Sequence, residues 1–177
     1  LRHDHSLERW DLSNHERTNT WTCPSALPIG DAPLLITDDV IVVWTIAGDL
    51  FVLEPPTLQL RAHLKGHNDL VSQVIAYGEH ELISCGHDAD IRRWDLRTQQ
   101  CVQVLSGESP HGLTGVMLVS DDRLVSWGFD NTLSVWSLSE AKLKGHLIGH
   151  TSSLSEVIAL SNDRLVSCAD FADDVRI

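Results

Sequence analysis

The chain has 177 residues, 42% of them hydrophobic, and its 25 acidic side chains outnumber 13 lysines and arginines to give a net charge of −12. This composition suits one domain with a buried core, and the acidic surface excludes nucleic acid as a predicted direct partner because it repels phosphate. No apolar run is long enough to span a bilayer and no signal peptide is recognisable, so we expect no membrane partner and a cytoplasmic location.

Strand–turn–strand patterns recur along the chain. In order, they occupy 34–43, 75–84, 117–126 and 158–167. Acidic, Asn or Gly residues at their centres form tight turns, and flanks rich in Val, Ile and Leu are typical of buried strands. The best-defined strands are predicted at 82–85, 91–94, 124–127 and 133–136.

The segments between these patterns supply an outer strand or a connection. An outer strand is predicted at 101–105 and at 58–61. The segment 139–144 has the composition of one helical turn, but it stands where another outer strand is expected. The stretch 14–32 is the least repetitive and is predicted to be a longer connection. Four short strands per unit, separated by turns, predict an antiparallel all-β fold.

The units recur with a period in the low forties. Trp10, Leu53, Trp94 and Trp136 follow one another at intervals of 43, 41 and 42 residues. Such a period indicates a duplicated unit that stacks on its own copies. We expect one repeat region over 1–177, with blade units at roughly 1–12, 13–57, 58–98, 99–140 and 141–177, the first and last being partial.

The pairs Gly66-His67 and Trp94-Asp95, with Gly149-His150 further on, resemble the marks of WD40 repeats. The resemblance covers nearly the whole chain and implies a WD40-type β-propeller, in which four-stranded antiparallel sheets form blades around a channel. About four blades are expected per chain, fewer than is usual in the family. Three arrangements stay open: half of a two-chain, eight-bladed ring, a piece of a longer protein, or a closed four-bladed ring.

Ser, His and Asp side chains recur at fixed distances from the Trp of each unit. A catalytic triad occurs once per active site, whereas this set occurs once per unit, which favours a structural role. The resemblance implies a tetrad in which Trp, Ser, His and Asp form a chain of hydrogen bonds, and a buried indole N–H needs such a partner. The structural tetrad residues are His67, Ser84, Asp88, Trp94, Ser126, Asp130, Trp136, His150 and Ser167.

Only the tetrad around Trp94 is complete in the sequence. The unit before it has apolar residues at the tetrad positions and is predicted to be the least stiff. In the unit that ends at Trp136, the candidate histidine is His111. In the last unit the Asp position holds another residue type, and Asp170 or Asp173 is the substitute.

No catalytic, metal-binding or cofactor-binding residue is predicted. The chain lacks a glycine-rich phosphate loop, a nucleophile elbow and a Cys-x-x-Cys pair. His3 and His87 are metal-ligand types, but they occupy the same repeat position, which favours a loop role. Cys85 and Cys168 are also repeat equivalents, so they are not expected to face each other in a disulfide. Cysteines used as small buried residues favour a reducing compartment.

A non-catalytic scaffold for protein–protein interaction is the expected function. By analogy with the family, partners dock on the loops at one rim of the propeller. The alternatives are an enzyme or ligand-binding propeller with its site over the central channel, and an accessory or sensor domain of a larger protein. The candidate binding residues on these loops are His3, Asn68, Asp69, His87 and Phe129.

A protein or peptide is the expected partner, together with self-association. Unpaired strand edges are templates for pairing with another chain. Two chains would complete one ring if the hairpin 160–168 of each received the strand 7–10 of the other and displaced 174–177. Other repeats of a longer chain are the alternative partner for these edges.

Overall fold

The computed structural model describes residues 6–24, 34–37, 40–107, 112–161, 163–169 and 175–176, and every regular element among them is a β-strand. The predicted all-β architecture is therefore confirmed. In chain order the strands are β1 Ser6–Asp11, β2 Glu16–Thr22, β3 Leu34–Thr37, β4 Val40–Trp44, β5 Leu50–Leu53, β6 Leu60–Leu64, β7 Val71–Tyr77, β8 Glu81–Gly86, β9 Asp90–Asp95, β10 Gln100–Ser106, β11 Leu113–Leu118, β12 Arg123–Gly128, β13 Thr132–Ser137, β14 Lys142–Ile148, β15 Leu154–Ser161, β16 Arg164–Ala169 and β17 Val175–Arg176.

Strands that are neighbours in the chain pair antiparallel and form five successive sheets. Sheet 1 holds β1 and β2, sheet 2 holds β3 to β6, sheet 3 holds β7 to β10, sheet 4 holds β11 to β14, and sheet 5 holds β15 to β17. Each complete sheet is thus a four-stranded meander, the form of a propeller blade. The sheets pack in series without closing into a ring, so the described chain is a partial propeller.

The four best-defined predicted strands are central strands of sheets 3 and 4. β8, β9, β12 and β13 each extend the predicted range by one residue at both ends. Residues of both faces are buried on β8, where Leu82, Ile83, Ser84 and Cys85 have no exposed surface. A strand covered on both faces reads as a continuous apolar run, and this is the pattern that made these strands predictable.

The outer strand predicted at 101–105 is β10, Gln100–Ser106, whereas the other predicted outer strand begins later than expected. The strand predicted at 58–61 is β6, Leu60–Leu64, because Leu58 closes a turn in which its N–H donates to the Glu54 carbonyl at 2.7 Å. Likewise 139–144 is not a helical turn. A turn there is held by Asp122, which accepts the Ser139 N–H at 2.6 Å, and β14 then starts at Lys142.

The sequence units and the sheets are offset by one strand. The unit 58–98 contains β6 to β9, whereas sheet 3 consists of β7 to β10. The outermost strand of each sheet therefore belongs to the next sequence unit. Every unit after the first consequently spans two sheets, so the covalent chain ties each blade to its neighbour.

Among the described residues the core is divided into four clusters that lie between successive sheets. Val42 and Leu50 of sheet 2 meet Leu82 and Trp94 of sheet 3, and the same pattern continues from sheet to sheet. Burying a large apolar side chain stabilises a fold by about 1.5–3 kcal/mol. The stability of each blade therefore comes mainly from its neighbours.

Polar side chains also join adjacent sheets. The Ser72 hydroxyl donates to the Leu113 carbonyl at 2.7 Å, and the Gln73 side chain accepts the Val116 N–H at 2.7 Å. Farther out, the Gln103 amide donates to the Leu138 carbonyl at 2.6 Å. These bonds between sheets 3 and 4 satisfy backbone groups that the sheets themselves leave unpaired.

The turns repeat as backbone conformations even where their sequences differ. The turn between the second and third strands of sheets 2, 3 and 4 has a left-handed residue at the same place, with φ of 86° at Gly48, 62° at Ala89 and 63° at Asn131. The following turn has another in sheets 1 to 4. These residues are His15, Leu58, Gln99 and Ala141, with φ between 52° and 60°.

Candidate functional site

Four side chains of sheet 3 form a continuous hydrogen-bond chain. The Trp94 Nε1 donates to Ser84 Oγ at 2.8 Å, and Ser84 Oγ lies 2.7 Å from His67 Nε2. His67 Nδ1 lies 2.9 Å from both carboxylate oxygens of Asp88. Since a carboxylate only accepts, Nδ1 carries the proton and Nε2 accepts the Ser84 hydroxyl. Each of the four side chains thereby has a hydrogen-bond partner within the chain.

Asp88 also organises the loop above this chain. Its carboxylate accepts the Asn68 N–H at 3.0 Å and the Asp90 N–H at 3.3 Å. Desolvation of this carboxyl acts to raise its pKa, but the hydrogen bonds from His67 and from the two amides outweigh it and hold the pKa of Asp88 below its usual value. The carboxylate form is therefore part of the folded structure.

Acid is expected to weaken the fold through Asp88. Because its folded-state pKa is lowered, the carboxylate contributes stability above its unfolded pKa of about 3.9, and this contribution is lost as the pH falls through the folded pKa. Asp88→Asn should therefore flatten the decline of the unfolding free energy below about pH 4, measured by urea denaturation. Asp163→Asn, which removes a surface carboxylate, should keep the wild-type slope. Equal slopes for all three chains would contradict this role of Asp88.

The corresponding set in sheet 4 is partly assembled in the described residues. Trp136 Nε1 donates to Ser126 Oγ at 2.9 Å, and both side chains are buried. Asp130 accepts the Thr132 N–H at 3.1 Å. His111, the candidate histidine, lies outside the described residues.

Sheet 5 keeps the histidine and serine of the set. His150 Nε2 lies 2.8 Å from Ser167 Oγ, whereas the buried Nδ1 of His150 has no partner among the described residues. The candidate acids Asp170 and Asp173 lie outside them. In sheet 2, Val43 occupies the serine position and is buried in an apolar cluster.

Sequence reasoning missed two further histidine contacts. His63 Nε2 lies 2.8 Å from Asp49 and its ring stacks on Phe51 with centroids 4.3 Å apart. His146 Nδ1 lies 3.0 Å from Ser134 Oγ. Both histidines are on outer strands, twelve residues after the central-strand residue they oppose. This shared spacing of twelve residues is a pattern by which an alignment of the repeat units could have revealed both contacts.

Four of the five predicted binding residues lie on adjacent loops at one end of sheets 3 and 4. The rings of His87 and Phe129 meet edge to face, with centroids 5.4 Å apart, and Phe129 remains 48% exposed. The His87 N–H donates to the Leu70 carbonyl at 2.8 Å, which ties the loop to the segment of Asn68 and Asp69. We call Asn68, Asp69, His87 and Phe129 the loop face; His3 lies outside the described residues.

A concave surface follows the first strands of sheets 3, 4 and 5, which are β7, β11 and β15. The sequence did not indicate it. It has a volume of about 650 Å³, and repeat-equivalent hydroxyls of Ser72, Thr114 and Ser155 lie along it beside Glu156. Ser72 already donates across to sheet 4, so part of this polarity is used in joining the sheets. Among the described residues no group of three or more His, Cys, Asp or Glu side chains is arranged to hold a metal ion.

None of the four cysteines forms a disulfide with another described residue. Burial raises the pKa of the Cys85 thiol to about 12. A thiol with so high a pKa is neither a nucleophile nor a metal ligand at neutral pH. Cys85 therefore acts as a small apolar residue between sheets 3 and 4.

Comparison with known proteins found no matching family model. Among curated proteins, nuclear distribution protein nudF of Emericella nidulans is 36% identical over 90 residues, covering 49% of this chain and 20% of that protein. DENN domain and WD repeat-containing protein SCD1 of Arabidopsis thaliana is 30% identical over 114 residues, covering 64% and 10%. Autophagy-related protein 16 of the same plant is 26% identical over 162 residues, covering 87% and 30%.

These relatives are much longer than the chain, which spans between 10% and 30% of each of the three. Within the described residues, no helix has the length and apolar character needed to cross a membrane.

Proposed function

Because the chain belongs to the WD40-repeat family, we propose that it is a non-catalytic scaffold that binds a protein or peptide partner through its loop face. The observation that carries this proposal is the exposed Phe129 ring held against His87. Aromatic residues, Phe among them, are enriched at protein–protein interfaces relative to the rest of the surface.

The support beneath the loop face favours binding without rearrangement. The Asn68 N–H is fixed by Asp88, which in turn is fixed by His67. Phe129 is anchored through its own N–H, which donates to the Gly112 carbonyl at 3.3 Å. A preorganised surface loses little conformational entropy on binding and so retains more of its contact energy.

Removing the Phe129 ring is expected to weaken partner binding by about 30-fold, the effect of losing a hot-spot side chain worth about 2 kcal/mol. Immobilised wild-type, Phe129→Ser and Val102→Ser chains would be exposed to the same cytosolic extract and the retained proteins quantified by mass spectrometry. Val102 is a matched control because it is 50% exposed on an outer strand away from the loop face.

The proposal predicts one set of proteins retained by wild type and by Val102→Ser and lost with Phe129→Ser. Retention that is equal for all three chains would place binding elsewhere. Turnover of a substrate by the wild-type chain would contradict the non-catalytic role.

We also infer that the chain works in a reducing compartment, the cytoplasm, and without nucleic acid or membrane as direct partners. Four cysteines that form no disulfide with one another support the first inference. The net charge of −12 supports the second, because phosphate backbones and anionic lipids are repelled.

Self-association is the second interaction that we propose. Sheets 1 and 5 each have strand edges that are unpaired in the described chain, whereas sheets 2 to 4 are complete. Unpaired, partly apolar edges associate readily. A second copy of the chain offers the matching edges.

A further inference from the structure

Trp10 differs from its repeat equivalents in its surroundings. Trp94 and Trp136 are 1% and 3% exposed, whereas Trp10 is 54% exposed. Its indole N–H has no hydrogen-bond partner among the described residues. β1, which carries Trp10, pairs with β2 along one edge only, while β9 and β13 pair along both edges. An exposed indole on a half-paired strand is therefore present at one end of the sheet series.

The other end of the series has a cleft of matching chemistry. A cavity of about 470 Å³ between sheets 4 and 5 is lined by apolar residues that include Val119, Val125 and Leu165, and by charged residues towards Asp122, Arg123 and Arg164. The repeat equivalents of the three apolar residues, Tyr77, Ile83 and Leu124, belong to the cluster that contains Trp136. The cleft is thus the place where sheet 5 would accommodate the Trp of a third strand.

The polar group that would receive an indole is also in place. Ser167 Oγ binds His150, as Ser84 Oγ binds His67, but Ser167 has no indole donor among the described residues. Among the described residues, the strand on that edge of β16 is β17, which pairs through Ser167 with Arg176 and Cys168 with Val175.

We propose that a second copy of this chain inserts its β1 strand beside β16, in the place of β17, and seats Trp10 in the cleft with its N–H on Ser167. This inference rests on the self-association proposed above and specifies its geometry. The register of β8 with β9 places Leu82 opposite Trp94. The same register places Leu165 opposite Trp10, Val166 opposite Arg9, and Arg164 opposite the oppositely charged Asp11 of the second copy.

The exposed face of β15 supports the same occupant. Ile158 and Leu160 are 53% and 59% exposed, although their equivalents in sheet 3, Ile75 and Tyr77, pack against sheet 4. Sheet 2 packs on sheet 1 through Trp21 and Phe51. When β1 and β2 of the second copy extend sheet 5, that copy's sheet 2 comes to lie over Ile158 and Leu160. The same strand exchange thereby covers both the cleft between sheets 4 and 5 and the exposed face of β15.

Light scattering after gel filtration tests the contact. We expect the wild-type chain to elute at twice the 19.7 kDa of one chain. Trp10→Ala should weaken the association by about 100-fold or more, the effect of truncating a buried Trp. Leu160→Lys should do the same from the other side of the contact. Val102→Lys changes an equally exposed apolar residue outside it and should leave the dimer intact.

Cross-linking tests the register and the second copy. Chains carrying Arg9→Cys would be mixed with tagged chains carrying Val166→Cys and oxidised mildly. A disulfide-linked pair of unequal chains is expected, because only contact between two copies produces it. The combination of Arg9→Cys with Arg164→Cys is two residues out of register and should give far less of the disulfide-linked pair. Each single variant on its own measures the background of cross-linking through the native cysteines.

The outcomes separate this inference from the proposal on which it rests. A dimer that Trp10→Ala leaves unchanged, or that fails to give the mixed cross-link, overturns the strand exchange while self-association stands. A wild-type species that stays at 19.7 kDa at every concentration overturns both. Circular dichroism of Trp10→Ala should match wild type, since this ring is largely exposed within one chain.

Discussion

Trp94→Phe is expected to lower the free energy of unfolding by about 3 kcal/mol, with a fall in Tm of about 6–12 °C for a chain of this size. The substitution leaves a cavity between sheets 2 and 3, where Trp94 packs with Val42, Leu50 and Leu82. It also removes the donor to Ser84 Oγ, so the buried network loses one end. Both losses occur at a side chain that is almost fully buried.

Two companion variants separate these losses. Ser84→Ala keeps the packing and breaks the network, and it should cost about 1 kcal/mol. Trp21→Phe makes the same ring change at a buried indole that packs on Phe51 and has no N–H partner among the described residues, so it should cost less than Trp94→Phe. An unchanged urea midpoint for Trp94→Phe would refute the structural role of the tetrad, and lost activity at full stability would indicate a catalytic one.

Gly115→Ala should destabilise the fold by a comparable amount, about 3 kcal/mol, through overpacking. A Cβ atom at Gly115 would lie 2.2 Å from Cζ2 of Trp127, a buried ring between sheets 4 and 5. The ring is held against Val125 and Leu133 in that cluster, so it is not free to move aside. Sheet 5, which depends on this cluster, should unfold at lower denaturant concentration than the other sheets, as hydrogen exchange would detect.

Gly145→Ala is the matched control for this change. Gly145 is also a strand glycine, on β14 of the same sheet, but no atom lies within 4 Å of a Cβ placed there. We expect its unfolding free energy to stay within about 0.5 kcal/mol of wild type. Similar effects from the two glycines would show that chain entropy, and not the contact with Trp127, dominates.

The central strands were predictable because burial on both faces leaves a plain apolar signal in the sequence. β8 and β12 lie between two neighbours, so after a charged first residue their side chains are apolar or glycine apart from the serine that binds the indole. The spacing of that serine from its Trp is fixed by the register of the two strands. The repeated serine–tryptophan spacing therefore indicates how the second and third strands of each sheet pair, and it is visible in a single sequence.

The outer strands and the cross-sheet contacts left a weaker signal. β6 starts later than predicted because the Glu54–Leu58 turn, with its two prolines, is longer than a two-residue turn, and turn length is not encoded in apolar periodicity. The contact of Gly115 with Trp127 depends on which face each residue presents, and nothing in either residue type specifies that partner. The family resemblance implies the loop face, whereas the contact between His87 and Phe129 arises only in the folded structure.

The left-handed turn residues make the molecule locally frustrated. Six of the described residues with positive φ are not glycine: His15, Leu58, Ala89, Gln99, Asn131 and Ala141. Apart from Asn131, whose residue type adopts this conformation more readily, each costs about 1 kcal/mol relative to glycine, and the sum approaches the lower end of the net stability of a small domain. Turn geometry thus opposes folding in nearly every blade, and packing between blades must outweigh it. A blade cut away from its neighbours would keep this strain and lose the packing that offsets it. Removing repeats one by one should therefore leave shortened chains that do not fold stably.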